Sequence, residues 1–146
     1  MPTEQTLILL KPDAIDRGLV GTIISRIEAT DLTICQLTTV DPDQELLADH
    51  YEEHQDEDFY EDLLDYMDDT IIAGTVEGPA AVATVRKLLG DTEPATAPPG
   101  TIRGDLGHDS YERADEEERA VHNLIHASAS LEEATQEIAL WFSAAS

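Results

Sequence analysis

Apolar positions along this chain fall into two rhythms, short continuous runs and stripes of helical period. Thr6–Leu10 is an apolar run closed by Pro12, the pattern of a buried strand. Beyond Gly18 and Gly21, residues Ile23, Ile24 and Ile27 share one face of a predicted helix, with Arg26 and Glu28 away from it. Asp31 marks a turn, and Leu32 to Val40, rich in β-branched residues, reads as a second strand that packs Cys35 in the ordinary way. Pro42 lies near the start of a helix carrying Leu46, Leu47 and Tyr51, and another helix from about Asp58 carries Phe59, Leu63, Leu64 and Met67. Thr70–Val76 reads as a third strand ended by Gly78-Pro79. Ala80–Leu89 follows as a helix stopped by Gly90. Residues 91–118 read as one long loop, first rich in Pro and Gly and then acidic; loops of that length inside a domain are usually functional. Ala120–Ile125 returns as a fourth strand, and Leu131–Phe142 closes the chain as a helix with Ala134, Ile138 and Trp141 on one side. This interleaving predicts a single α/β layer domain over residues 1–146, without internal repeats.

Composition sharpens the class. The chain is 41% hydrophobic, enough for a core, and its apolar periodicity runs throughout, which excludes acidic disorder. Eight Lys and Arg stand against 32 Asp and Glu, a formal charge of −24. Nucleic acid and anionic membranes repel such a surface, so neither is expected as a partner. A phosphate-bearing ligand needs the few bases gathered in one place. The carboxylate excess reads as a solvated shell suited to a high-salt cytoplasm. One cysteine excludes an intrachain disulfide. No leader pattern opens the chain, and no apolar run approaches the roughly 20 residues of a membrane span, so a cytoplasmic location is expected.

The densest chemistry lies in Asn123-Leu124-Ile125-His126-Ala127-Ser128, followed by Glu137 on the last helix. A histidine with an amide, a hydroxyl and an acid nearby has what a nucleophilic imidazole requires. A lone histidine on a mixed segment is, however, more often structural. His50-Tyr51-Glu52-Glu53-His54 also fits the H-x-x-E-H zinc-peptidase pattern, which on one helix would set His50 and His54 a turn apart.

Four motifs in order decide between these readings: Lys11-Pro12-Asp13-Ala14, His50-Tyr51 with Phe59, Gly100-Thr101-Ile102-Arg103-Gly104-Asp105, and Asn123 to Ser128. With them the whole chain resembles the nucleoside diphosphate kinase family. The resemblance implies a ferredoxin-like βαββαβ core, a mostly antiparallel four-stranded sheet with helices on one face. It implies ping-pong transfer of a γ-phosphoryl group from a nucleoside triphosphate to a nucleoside diphosphate through a phosphohistidine at His126. Lys11, Arg86, Thr92 and Arg103 match the positions that hold phosphates, Asn123 the amide on the sugar and Phe59 the ring under the base. Tyr51, Ser128 and Glu137 match positions that set the lysine and the histidine. Mg²⁺ would arrive on the nucleotide rather than on protein ligands, and a homo-oligomer is expected.

The family's usual Gly-Ser-Asp-Ser after the histidine is Ala127-Ser128-Ala129-Ser130 here, and Leu106–His122 is longer than in common members. These departures leave open a non-catalytic relative that binds only nucleotide or a partner, and leave Arg113 and Arg119 unassigned. His108 and His122 read as solvated.

Overall fold

A computed structural model describes residues 3–145 of the chain. Its centre is β1 (Thr3–Leu10), flanked by β3 (Ile71–Pro79) and the short β4 (Ile125–Ala127). Strand β2 (Thr33–Val40) pairs with the far side of β3, giving the order β2-β3-β1-β4. All three pairings are antiparallel, and the register sets Leu9 opposite His126 and Ile8 opposite Ala127. This is the ferredoxin-like arrangement the resemblance implies.

The helices lie on both faces of the sheet rather than on one, and β1 explains why. Leu7, Ile8, Leu9 and Leu10 are all fully buried, and successive strand residues point to opposite faces. Leu7 and Leu9 join a core with Leu47 of α3 (Gln44–His50), Met67 of α4 (Tyr60–Met67) and Trp141 of α8 (Leu131–Ala145). Ile8 and Leu10 join a second core with Ile23 and Ile27 of α2 (Val20–Glu28) and with Val85 and Leu89 of α5 (Ala81–Leu89). Burying each such side chain contributes about 1.5–3 kcal/mol, so a charge at Leu9 would break the layer that carries His126.

Two expectations about loops and strands give way to capping and strain. Residues 91–118 are not one irregular loop: they hold a 3-10 turn at Pro94–Thr96, α6 (Ile102–Leu106) and α7 (Tyr111–Glu116). Thr101 Oγ1 accepts from Gly104 N at 3.0 Å and Ser110 Oγ from Arg113 N at 3.1 Å, so each short helix has its N-cap despite Pro, Gly and acidic composition. The fourth strand is shorter and later than Ala120–Ile125. Leu124 has φ of +71°, a left-handed conformation that interrupts extended backbone. Short α1 (Pro12–Asp16) lies immediately beyond β1 and brings Asp13 towards that turn. Cys35 sits at a bulge between Ile34 and Gln36 and is exposed on the edge strand, not packed.

Candidate active site

His126 stands on β4, and the partners of its ring come from α8. Its Nε2 lies 3.1 Å from Glu137 Oε1, and Ser128 Oγ donates to the same oxygen at 2.6 Å. An imidazole that donates from Nε2 keeps its lone pair on Nδ1, so this contact selects the tautomer. Burial raises the pKa of Glu137, but the hydrogen bond and charge of His126 and the Ser128 hydroxyl outweigh it, leaving the carboxylate below its ordinary range. Helix α8 is itself fixed at its start: Ser130 Oγ accepts from Glu133 N at 3.1 Å, and Glu133 Oε2 accepts from Ala129 N at 3.1 Å. Ala129 therefore costs this turn no backbone partner. Ala127, buried and paired with Ile8, takes ordinary strand geometry.

Behind the histidine the packing is aromatic. His50 meets His126 edge-on at 4.8 Å between centroids and Tyr51 at 4.6 Å. Trp141 Nε1 donates to His50 Nδ1 at 3.0 Å. Burial first, and then the neighbouring His126, push the pKa of His50 down to about 3, so it stays neutral at working pH. Burial, with the nearby Glu137 carboxylate, raises the Tyr51 phenol, which stays protonated. The H-x-x-E-H pattern does not form a metal pair. Helix α3 ends at His50, Glu52–His54 is a 3-10 turn, and His54 packs 5.4 Å from Phe59. Among the described residues, the group with ligand atoms close enough for a cation is His50, His126 and Glu137, all within 4.8 Å. The Trp141 N–H already occupies Nδ1 of His50.

The left-handed turn before β4 is clamped from several sides. Leu124 N donates to Asp13 Oδ2 at 3.1 Å, and Leu124 O accepts from Lys11 N at 2.8 Å. Tyr66 donates its hydroxyl hydrogen to Asp13 Oδ1 at 2.5 Å and accepts from Asn123 N at 3.2 Å. Left-handed backbone at a leucine is held only where its surroundings over-determine it, and this network does so. His122 stacks on Tyr66 at 4.8 Å and so is not merely solvated. Sequence reasoning missed Asp13 and Tyr66. Asp13 lay within the Lys11 motif, whereas Tyr66 carried no signal beyond its place in a helix.

The clamp brings the cations together. Lys11 Nζ donates to Asn123 Oδ1 at 2.6 Å, and Asn123 Nδ2 donates to Thr92 O at 3.1 Å. Arg103 donates to Asn123 O, Gly90 O and Ile125 O at 3.2, 3.2 and 2.5 Å, and Arg86 to Ala127 O at 3.2 Å. Burial and then the Arg103 charge bring Lys11 down to about 7, and burial and then Arg86 bring Arg103 down to about 10. Lys11, Tyr51, Phe59, Arg86, Thr92, Arg103, Asn123 and His126 all line one cavity of about 450 Å³, while Ser128 and Glu137 support the histidine through hydrogen bonds. A larger hollow of about 870 Å³, lined by Thr30, Thr84, Lys87 and Pro98 among others, shares Arg86 but not His126. Convergent polar groups, not volume, identify the site. Basic groups held around a positioned imidazole are suited to taking and passing on a phosphoryl group.

The family model for nucleoside diphosphate kinase matches residues 4–146. The chain belongs to that family. The nucleoside diphosphate kinase of Pyrococcus furiosus is 46% identical over 140 residues, spanning 95% of this chain and 83% of that protein. The Mycobacterium leprae enzyme is 46% identical over 142 residues, covering 96% and 97%. Among solved structures, the Borrelia burgdorferi enzyme, a transition-state mimic with vanadate and ADP, superposes with a TM-score of 0.92 at 35% identity, over 96% of this chain and 87% of that one. The halophilic Halobacterium salinarum enzyme in complex with CDP gives 0.86 at 37% identity, over 97% and 88%. The activity that goes with the family is phosphoryl transfer from a nucleoside triphosphate to a nucleoside diphosphate, so the chain is a nucleotide-binding phosphotransferase.

Proposed function

We propose that His126 carries the phosphoryl group. One observation supports this above the rest: Glu137 engages Nε2 of a histidine that lines the cavity holding Lys11, Arg86 and Arg103. The Nδ1 lone pair attacks the γ-phosphorus, the bond to the β-phosphate oxygen breaks, and the nucleoside diphosphate leaves with those electrons. A terminal phosphate oxygen of a second diphosphate then attacks the same phosphorus. The P–N bond breaks, and its electrons return to Nδ1. The proton on Nε2 stays with the Glu137 hydrogen bond throughout. Without it, phosphorylation at Nδ1 would have to compete with the other nitrogen.

The remaining roles follow from chemistry. Arg86 and Arg103 offer planar forks to phosphate oxygens, Lys11 a point charge and Thr92 a hydroxyl. Asn123 addresses the sugar hydroxyls and Phe59 stacks on the base. Tyr51, Ser128 and Glu137 act by setting Lys11 and His126. Asp115 is the one carboxylate among the described residues lining this cavity, and Ala129 adds none. That donor set fits Mg²⁺ bound by the nucleotide, not by a protein cage; when bound it neutralises phosphate charge. We also read the chain as a single kinase domain, cytoplasmic and homo-oligomeric, with its −24 charge as an adaptation to salt.

Incubation with γ-labelled ATP tests the proposal. The enzyme should become an acid-labile, base-stable phosphoprotein, and His126→Ala should lose both label and exchange activity while keeping its fold by circular dichroism. A normally labelled alanine variant would refute the mechanism.

A further inference from the structure

Helix α7 lies between the Arg103 and Asn123 segments, and the mechanism above assigns it nothing. Four large hydrophobic side chains are exposed among the described residues: Leu37, Phe59, Tyr111 and Leu131. The two aromatic ones, Phe59 at 43% and Tyr111 at 48%, line the same cavity. A tyrosine half in water on a cavity wall presents a flat apolar face with few rotatable bonds, a surface that gains by covering a planar ligand.

Tyr111 is firmly mounted. Its N–H donates to Glu93 Oε2 at 2.9 Å, and Glu93 follows Thr92, whose carbonyl holds Asn123. The next turn is anchored by Arg119, which donates to both oxygens of Asp109 at 2.6 and 3.0 Å, while Asp109 also accepts from His122 N at 2.7 Å. Burial raises Asp109, yet Arg119 and the His122 N–H outweigh it and hold the carboxylate at about 2, so the anchor stays charged. The backbone that carries the ring is thus tied, by hydrogen bonds, to the segments that carry the polar side chains of the cavity.

We propose that Tyr111 is a nucleotide-binding residue whose ring packs against the base, so that α7 adds a second aromatic surface to the one Phe59 provides. This rests on the reading of the cavity as the nucleotide site. Stacking tolerates any base because each has a π-face, and it is stronger for the larger purines.

Steady-state exchange with Tyr111→Ala and Tyr111→Phe, using GDP and UDP as acceptors and inorganic tripolyphosphate as a baseless competitor, tests it. The alanine variant should raise KM about 10-fold for GDP and less for UDP, with kcat within about 2-fold. The phenylalanine variant should match the parent, and tripolyphosphate should inhibit all three enzymes equally. An unchanged KM for GDP in the alanine variant would overturn the proposal. So would equal weakening of GDP and tripolyphosphate, or a phenylalanine variant as impaired as alanine. If the alanine variant melts early without nucleotide, Tyr111→Leu, which keeps bulk but not the flat face, takes the same criteria. Labelling of the parent at His126 separates the two levels. No phosphoenzyme would undo the reading of the site itself, whereas a normal phosphoenzyme with unaltered KM would undo only the Tyr111 contact.

Discussion

The polar interior of the cavity and its aromatic wall are built by opposite means. Lys11, Arg103 and Asn123 are 7%, 4% and 4% exposed, and each is tied to backbone or side chain at 2.5–3.2 Å. Phe59 and Tyr111 are nearly half in solvent, and neither ring is buried in either core. On the proposed reading the interior meets a group whose geometry never varies, the polyphosphate, so fixed donors cost nothing in generality and avoid reorganisation during transfer. On that reading the wall meets a group that does vary, the base, and flat aromatic faces tolerate that variation. Rigid where the chemistry is constant and permissive where the substrate changes: the proposed division of labour suits an enzyme family seen with ADP in one relative and CDP in another.

The hardest blow to the interior short of removing His126 should be Asp13→Ala. It leaves the Leu124 N–H without its carboxylate and the Tyr66 hydroxyl without its acceptor. A buried unsatisfied group costs about 1–3 kcal/mol, and a misplacement of about 1 Å near the chemistry costs roughly 10²-fold in rate. We expect kcat/KM to fall about that far, with slower phosphoenzyme formation in rapid-quench experiments and lower thermal stability. Wild-type labelling rates in the alanine variant would mean the Leu124 turn holds itself.

The next effect is one of pH. Lys11, pushed down to about 7, is largely neutral in the free enzyme at pH 8 to 9, whereas bound phosphate favours its charged form. Nucleotide binding above pH 7 should therefore take up a proton. KM should rise with pH by up to about 10-fold per unit, and calorimetry in buffers of different ionisation heat should register the uptake. Lys11→Gln should flatten this limb. The sign for stability follows from the same shift: the folded pKa lies below the ordinary 10.5, so the free protein should gain stability as pH rises from about 7 to 10.5. A KM independent of pH over that interval would show that Lys11 stays charged in the free enzyme.

At the wall, Phe59→Ala should raise KM about 5- to 10-fold with little change in kcat. The parent should accept purine and pyrimidine, ribo- and deoxyribonucleotides in competition assays among four diphosphates. A strict preference for one base would break the contrast between constant interior and permissive wall.

Much of this was legible in the residues themselves. Leu7 to Leu10 announced a buried strand, and the ordered motifs around Lys11, Arg103 and His126 located most of the cavity. What escaped depends on contacts distant in the chain. That helices cover both faces follows from each face of β1 being buried, which Thr6–Leu10 alone cannot reveal. The pairing of Asp13 with Tyr66 and Leu124 spans 53 and 111 residues. Helix α7 was hidden because acidic composition resembles a solvated loop, and its order comes from one serine cap and the Arg119–Asp109 pair.

The smallest effect per site, and the widest, concerns the surface outside both regions. Of the 32 carboxylates, three have an arginine within 4 Å among the described residues: Asp105 with Arg26, Asp109 with Arg119, and Glu117 with Arg113 and Arg119. Salt weakens both those attractions and the repulsion among the other acids, and the acids are far more numerous. The Debye length falls from about 10 Å at 0.1 M to about 3 Å at 1 M, so most of the repulsion is screened over that range. Each kcal/mol gained should raise Tm by roughly 2–4 °C for a chain approaching this size. Contacts between subunits of the proposed homo-oligomer should gain most, because they bring two anionic surfaces together. The interior should respond least: the Lys11–Asn123 and Arg103–carbonyl bonds are buried, and screening reaches them weakly. We therefore expect Tm and oligomer mass to rise together from dilute buffer to molar KCl, with kcat per folded site nearly constant. Flat Tm across that range would mean that the acidic surface does not oppose the fold.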